Sequence, residues 1–161
     1  MKEFITENSK QTQKLGEMLA QEIKGGKIIC LTGELGSGKT TFTQGLLKDL
    51  RVKGPYTSPT FVIMKKYGKN IFHFDAYRVR KDDIINLGWE EIIADENNVI
   101  IVEWADRISK IIPRGALWIG FEWMDENKRK ISFLSRHPER NETFSRMKSR
   151  DLPRDITSNN L

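Results

Sequence analysis

The residues with the clearest chemistry are those from Gly33 to Thr40, which read G-E-L-G-S-G-K-T. An apolar run at 28–31 precedes them and a predicted helix follows them. This is the P-loop pattern G-x-x-x-x-G-K-[ST] between a strand and a helix, the context that it requires. Glycines let consecutive backbone N–H groups turn inward around a phosphate chain, and the positive end of the helix dipole points at the same phosphates. The pattern therefore predicts a site for a nucleoside triphosphate.

Two residues of this pattern have separate tasks. Lys39 is expected to reach the β- and γ-phosphates, and the Thr40 hydroxyl is expected to coordinate Mg²⁺. A glycine-rich turn of purely structural function is the alternative. Four fixed positions at this spacing meet by chance in few chains of this length, so we favour the nucleotide site.

Two carboxylates stand at the ends of predicted strands. Glu103 ends the run 99–102, whose continuous β-branched residues are typical of a strand buried on both faces of a parallel sheet. Asp75 ends the run 71–74 in the same way. A carboxylate buried there costs free energy unless a cation or hydrogen-bond donors receive it. We favour Glu103 as the residue that faces the metal. Asp75 would orient the attacking water or hold a neighbouring turn; the alternative is that it caps the next segment or pairs with Arg78.

Two other features near these acids allow more than one interpretation. Residues 57–60 place hydroxyl groups on both sides of Pro59, and such a turn could sense a γ-phosphate as switch loops do. An ordinary turn that enters a strand explains the same residues equally well. His73 lies on the same strand face as Asp75, and we interpret it as a hydrogen-bonded core or rim residue rather than a catalyst.

The hydrophobic pattern predicts the elements that must position these residues. Either Thr6 or Ser9 is a plausible N-cap for the first helix, and Gly25-Gly26 ends it. We predict an α/β fold of the P-loop NTPase type, a three-layer sandwich with a mostly parallel sheet, helices on both faces and antiparallel hairpins at the edges. The predicted helices are 9–24, the segment after Thr40 to about residue 51, and 82–94 with a break at Gly88; the predicted strands are 27–32, 61–67, 71–75, 99–102, 117–123 and 130–134.

Length and composition indicate one globular domain of 161 residues with a net charge of +5. We expect a single P-loop ATPase domain over 1–136 and a polar, disordered tail over 137–161. No run of 18 apolar residues and no signal segment is found, and the single cysteine, Cys30, lies in a predicted core strand. A cytoplasmic protein without membrane contact is expected. The segment 82–106 has eight acids and no Lys or Arg, which makes it a candidate docking surface for a basic partner.

Four motifs in this order resemble the TsaE (YjeE) family. They are G-E-L-G-S-G-K-T-T-F at 33–42, S-P-T-F at 58–61, H-F-D-A-Y-R at 73–78 and V-E-W at 102–104, and L-G-W-E-E at 87–91 also looks like that family. The resemblance covers about residues 6–134. It implies a bacterial ATPase that is needed to make threonylcarbamoyladenosine at position 37 of tRNAs that read codons starting with A.

The resemblance also implies roles for single residues. ATP would be bound by Gly36, Ser37, Gly38, Lys39, Thr40 and Thr41, and Mg²⁺ by Thr40 and Glu103. Asp75 would be needed for hydrolysis, and Thr60 would belong to the switch-like turn. Ser9 would lie near the adenine, and the last hairpin would bring Lys128 and Arg129 near the nucleotide. The enzyme would dock on a TsaD–TsaB complex, which its ATP hydrolysis resets, and would meet tRNA only through that complex.

Other classes of protein explain the chain less well. A nucleoside or small-metabolite kinase would use the same P-loop, but 161 residues leave little room for a lid and an acceptor pocket. A GTPase would need an Asn-Lys-x-Asp motif and an Asp-x-x-Gly motif, and the sequence contains neither. A nucleic-acid binding module would interleave aromatic and basic residues, and that pattern is not found.

Overall fold

The strand that leads into Gly33 lies at the centre of the sheet. The computed structural model describes residues 2–23, 26–59 and 62–134. Within these residues, seven strands form one sheet in the order β1-β7-β6-β2-β5-β4-β3. The strands are β1 Lys2–Thr6, β2 Lys27–Gly33, β3 Met64–Tyr67, β4 Ile71–Asp75, β5 Val99–Glu103, β6 Leu117–Trp123 and β7 Arg129–Leu134. The helices are α1 Ser9–Glu22, α2 Lys39–Asp49, α3 Lys81–Ile85 and α4 Trp89–Ala94, followed by a 3₁₀ segment, Ala105–Ile111, that is interrupted at Ile108.

The sheet is parallel only in its centre. β6, β2, β5 and β4 pair in parallel, whereas β1–β7, β7–β6 and β4–β3 pair antiparallel. The prediction of a mostly parallel sheet was therefore wrong for half of the pairings. Both predicted hairpins form, but only β3–β4 lies at an edge of the sheet, because β1 pairs with β7 beyond the other. Short connections such as 68–70 and 124–128 permit only antiparallel neighbours, because a parallel crossover needs a dozen or more residues.

The helices cover both faces of the sheet. On one face, α1 and α2 bury Leu15, Leu19, Phe42 and Leu46 against β2, β5 and β6. On the other face, α3, α4 and the 3₁₀ segment pack on a second core. All five residues of β5 are buried, which confirms the prediction that this strand is covered on both faces. Cys30 belongs to the second core, where burial raises the pKa of its thiol.

The helices α1 and α2 lie unusually close together. A Cβ at Gly45 would lie 1.9 Å from the carbonyl oxygen of Gln13, and a Cβ at Gly16 would lie 2.2 Å from that of Phe42. Only glycine permits this approach of two backbones. The contact fixes α2, and with it the loop before it, against α1.

Several boundaries differ from the predictions. Asn8, rather than Thr6 or Ser9, caps α1, because its side chain accepts a hydrogen bond from the Gln11 N–H at 3.0 Å. The segment 82–94 forms two short helices because Gly88 adopts a left-handed φ of 83°. The strand β1 was not predicted.

Within the described residues, no helix is long and apolar enough to span a membrane. The predicted tail, 137–161, lies outside the described residues.

Candidate functional site

The predicted site residues meet at the carboxyl ends of the central parallel strands. In the sheet register, Glu103 of β5 stands beside Leu31 of β2 on one side and Asp75 of β4 on the other. The glycine-rich loop, residues 33–38, leaves β2 at this edge and enters α2. The carboxyl edge of an open parallel sheet is where α/β proteins bind their ligands.

The backbone of the glycine-rich loop explains its glycines. Gly33, Gly36 and Gly38 have φ angles of 135°, 75° and 103°, which L-residues with a Cβ rarely adopt. A Cβ at Gly33 would also lie 2.2 Å from the carbonyl oxygen of Phe121 on β6. Gly38 stands directly before α2, so the loop directs the backbone N–H groups of the first helical turn toward the sheet edge.

The Lys39 side chain folds back over the glycine-rich loop. Its ammonium donates to the carbonyl oxygens of Gly33 and Glu34 at 2.6 and 2.7 Å and to the Ser37 hydroxyl at 3.3 Å. It also lies 3.8 Å from the centroid of the Trp104 ring, a cation–π contact. Burial lowers the pKa of Lys39 to about 8, although Glu103, Asp106 and Asp75 oppose this shift by favouring the charged form.

Glu103 is buried and hydrogen-bonded at both oxygens. The Thr40 hydroxyl donates to its Oε2 at 2.8 Å, and Nε2 of His73 lies 2.9 Å from its Oε1. The side chains of His73 and Glu103 are 1% and 2% exposed, so water cannot replace these partners. The structure thus joins Thr40 and Glu103, the two residues predicted to bind Mg²⁺. It also places His73 in a buried hydrogen bond, as interpreted from the sequence.

Asp75 holds the turn that precedes β3. Its Oδ2 accepts a hydrogen bond from the Ser58 hydroxyl at 2.6 Å, and its Oδ1 accepts one from the Tyr77 N–H at 2.9 Å. Lys65 donates to the carbonyl oxygen of Thr57 at 3.1 Å and so ties the same turn to β3. Thr60 lies outside the described residues, and its assignment to a switch stays a prediction.

The rings of Trp104 and Tyr77 form one wall of the site, and Arg107 packs against them from outside the cavity lining. The rings of Trp104 and Tyr77 are 4.8 Å apart, and the Arg107 guanidinium lies 5.6 and 5.0 Å from their respective centroids. Arg107 also donates to the Tyr77 carbonyl oxygen at 2.7 Å. Trp104 has a φ of 59°, a left-handed conformation that is strained for a large residue and is often found at functional sites.

These groups enclose a cavity of about 570 Å³, within the range of small-molecule sites. Nine predicted site residues line it, whereas the side chain of Ser37, within the loop, is buried. Lys128 is not part of the lining, and its ammonium lies 3.8 Å from Asp125 at the turn of the last hairpin. The predicted residues in the lining are Ser9, Gly36, Gly38, Lys39, Thr40, Thr41, Asp75, Glu103 and Arg129.

The sequence analysis missed part of the lining. Asn8 and Thr12 come from the start of α1, and Glu126 and Asn127 from the last hairpin. Arg129, in contrast, was predicted to approach the nucleotide; it lines the cavity and donates to the carbonyl oxygen of Gly36 at 3.2 Å. These residues carry no motif of their own. They reach the site because β1 and β7 pair at the far edge of the sheet.

Fold and site together define an α/β protein in which a glycine-rich loop, a buried lysine and two buried acids converge at the carboxyl edge of the central strands. The family described as "Threonylcarbamoyl adenosine biosynthesis protein TsaE" matches residues 6–131. The chain belongs to this family.

Curated relatives agree with this membership. A protein of Aquifex aeolicus is 40% identical over 81% of this chain and 94% of its own length. A protein of Bacillus subtilis is 34% identical over 81% of this chain and 83% of its own length. Both are named tRNA threonylcarbamoyladenosine biosynthesis protein TsaE. The crystal structure of B. subtilis YdiB is similar to this fold, with a TM-score of 0.70 and 30% identity over 82% of this chain and 83% of that one.

Proposed function

We propose that this protein is a Mg²⁺-dependent ATPase that acts in forming the threonylcarbamoyl group on adenosine 37 of tRNAs that read ANN codons. The observation that carries the proposal is the hydrogen bond between Thr40, at the start of α2, and the buried Glu103, beside the ammonium of Lys39. P-loop ATPases need this set of groups: a lysine, a hydroxyl at the start of the helix, and an acid at the end of a neighbouring strand. The names of the relatives support the pathway.

The side chains present fit a magnesium ion. Thr40 and Glu103 offer a hydroxyl and a carboxylate, the hard oxygen ligands that Mg²⁺ prefers, and Mg²⁺ takes its other ligands from phosphates and water. A bound Mg²⁺ would neutralise charge on the phosphate oxygens. The other nucleotide contacts would come from the glycine-rich loop, from Thr41, and from Ser9 near the base.

Lys39 would exchange its present partners for phosphate. Its ammonium now donates to two carbonyl oxygens and one hydroxyl of the glycine-rich loop. A phosphate chain in the cavity offers stronger, charged acceptors. On binding, Lys39 would stabilise the negative charge that spreads over the γ-phosphoryl oxygens during transfer to water.

Asp75 would couple the phosphate to the turn at 57–60. Its two carboxylate oxygens already hold Ser58 and the Tyr77 backbone, so it fixes where this turn meets the cavity. From this position it would orient the attacking water, with Thr60 sensing the γ-phosphate in the manner of a switch. Loss of the γ-phosphate on hydrolysis would then release the turn.

The partners in this proposal are the TsaD and TsaB proteins, which ATP hydrolysis would reset between rounds in the cytoplasm. Contact with tRNA would pass through that complex. The acidic segment 82–106 is our candidate for the surface that docks on it.

The test is ATP turnover by the purified protein, alone and with TsaD and TsaB. We expect little activity alone and a clear rise with the two partners. We expect Lys39→Ala and Glu103→Ala each to abolish ATP turnover, both alone and with the partners. ATP turnover that does not change with TsaD and TsaB but rises with a small hydroxylated acceptor would identify a kinase and overturn the proposal. Near-normal turnover in Glu103→Ala would transfer the metal role to Asp75.

A further inference from the structure

The buried contact between His73 and Glu103 is separate from the groups proposed to bind ATP and Mg²⁺ directly. We infer that His73 is a positioning residue: its Nε2–H holds Oε1 of Glu103, so that Oε2 stays directed at Thr40 and the metal position. This inference rests on the proposed function, because it assigns a task at the same magnesium site.

The sheet register places the two side chains for this contact. His73 of β4 stands opposite Ile101 of β5, two residues before the pair of Asp75 and Glu103. Residues two apart on a strand share one face, so all four of these side chains emerge on the same face of the sheet. His73 reaches Glu103 diagonally across the two strands, at 2.9 Å, and does not extend into the cavity lining.

The second ring nitrogen of His73 indicates which hydrogen the ring carries. Nδ1 is buried and has no hydrogen-bond partner among the described residues. A hydrogen on Nδ1 would therefore be a buried donor without an acceptor, whereas the tautomer with its hydrogen on Nε2 donates to Glu103. The geometry thus favours the tautomer that donates one hydrogen bond from Nε2 to the carboxylate.

Glu103 needs the His73 donor because the Lys39 ammonium also attracts its carboxylate. Its carboxylate is 2% exposed, so an oxygen without a protein donor would lose hydrogen bonding that water cannot restore. The charge of Glu103 already acts on Lys39, whose pKa it raises against the effect of burial. Without His73, the carboxylate would turn toward this ammonium and away from Thr40. Buried partners of metal ligands act in this way in other metal sites.

Two amide substitutions at one position separate positioning from simple packing. In His73→Gln the amide nitrogen can occupy the place of Nε2, whereas in His73→Asn it reaches only the place of Nδ1. Both variants put a polar amide in the same buried pocket. The probe is Mn²⁺, whose affinity for the protein–ADP complex is measured by electron paramagnetic resonance. The affinity for ADP in excess chelator and the unfolding midpoint are measured alongside.

We expect His73→Asn to weaken Mn²⁺ binding by about tenfold or more, the usual loss when the partner of a metal ligand is removed. His73→Gln should keep most of the wild-type affinity, and neither variant should change the metal-free affinity for ADP. Wild-type Mn²⁺ affinity in folded His73→Asn would overturn the inference. Equal losses in both variants would also overturn it, because they would show a role in packing rather than in donating to Glu103.

The same measurements distinguish this inference from the proposed function. If the wild-type protein binds no Mn²⁺ in the presence of ADP, the proposed magnesium-dependent ATPase fails, whatever the variants do. If the wild type binds Mn²⁺ and both variants match it, only the role of His73 fails.

Discussion

The pKa of Lys39 makes nucleotide binding depend on pH in a predictable direction. Burial lowers this pKa to about 8 in the free protein, so the ammonium loses its proton near the upper end of the physiological range. A phosphate chain beside Lys39 favours the charged form and should restore a pKa at or above the usual value. Binding therefore takes up a proton. ATP affinity should be nearly full at about pH 7 and should fall as the pH rises through about 8.

The magnitude follows from the two pKa values. At about pH 9, roughly ten of eleven free molecules would carry a neutral Lys39, whereas the bound form would remain charged. Raising the pH from about 7 to about 9 should therefore raise the Kd for ATP about tenfold, which corresponds to about 1.4 kcal/mol. The assay is isothermal titration calorimetry in buffers of different ionisation enthalpy, which reports the affinity and the protons taken up.

The control is Lys39→Arg, which keeps a positive charge that does not titrate in this range. The quantity to compare is the change in ATP affinity with pH, not the absolute affinity. In Lys39→Arg the ATP affinity should not change with pH. Trp104→Ala would remove the ring that covers the ammonium, which should raise the pKa of Lys39 and move the fall in affinity to higher pH. A wild-type affinity that stays constant from pH 7 to 9, or falls equally in Lys39→Arg, would refute the reasoning.

Three further predictions concern the groups that frame the site. Gly45→Ala should lower the free energy of unfolding by about 3 kcal/mol, because the new Cβ would lie 1.9 Å from a carbonyl oxygen of α1. Gly115→Ala, with no atom within 4 Å of the added Cβ, should change the free energy of unfolding by less than about 0.5 kcal/mol. Equal losses in the two variants, measured by urea unfolding, would contradict the close contact between α1 and α2. Trp104→Gly should be about 1 kcal/mol more stable to urea than Trp104→Ala, because both lose the ring but only glycine accepts the φ of 59° without strain. Ser58→Ala should lower kcat about tenfold by removing the hydroxyl that donates to Asp75, and Ser58→Thr, which keeps the hydroxyl, should not; steady-state kinetics with the partner complex would show both.

Local features of the chain predicted much of the frame correctly. The glycine-rich loop between β2 and α2, the buried strand β5 and the two hairpins all follow from short-range patterns of glycine, apolar and turn residues. Local patterns were less reliable where an element depends on distant contacts. The strand β1 is only five residues long and pairs with β7 at the other end of the described chain, so its own residues give little sign of it.

The candidate site likewise combines features that are local in the sequence with contacts between distant residues. The sequence alone determined that a glycine-rich loop with Lys39 and Thr40 follows a buried strand, and that Glu103 and Asp75 end two others, because spacing along the chain is a local property. Only the tertiary structure decided that Glu103 lies between Thr40 and His73 and that Lys39 packs under Trp104. Those contacts depend on the order and register of the strands. Strand order is set by hydrophobic packing and backbone pairing summed over the whole sheet, and no single segment encodes that sum.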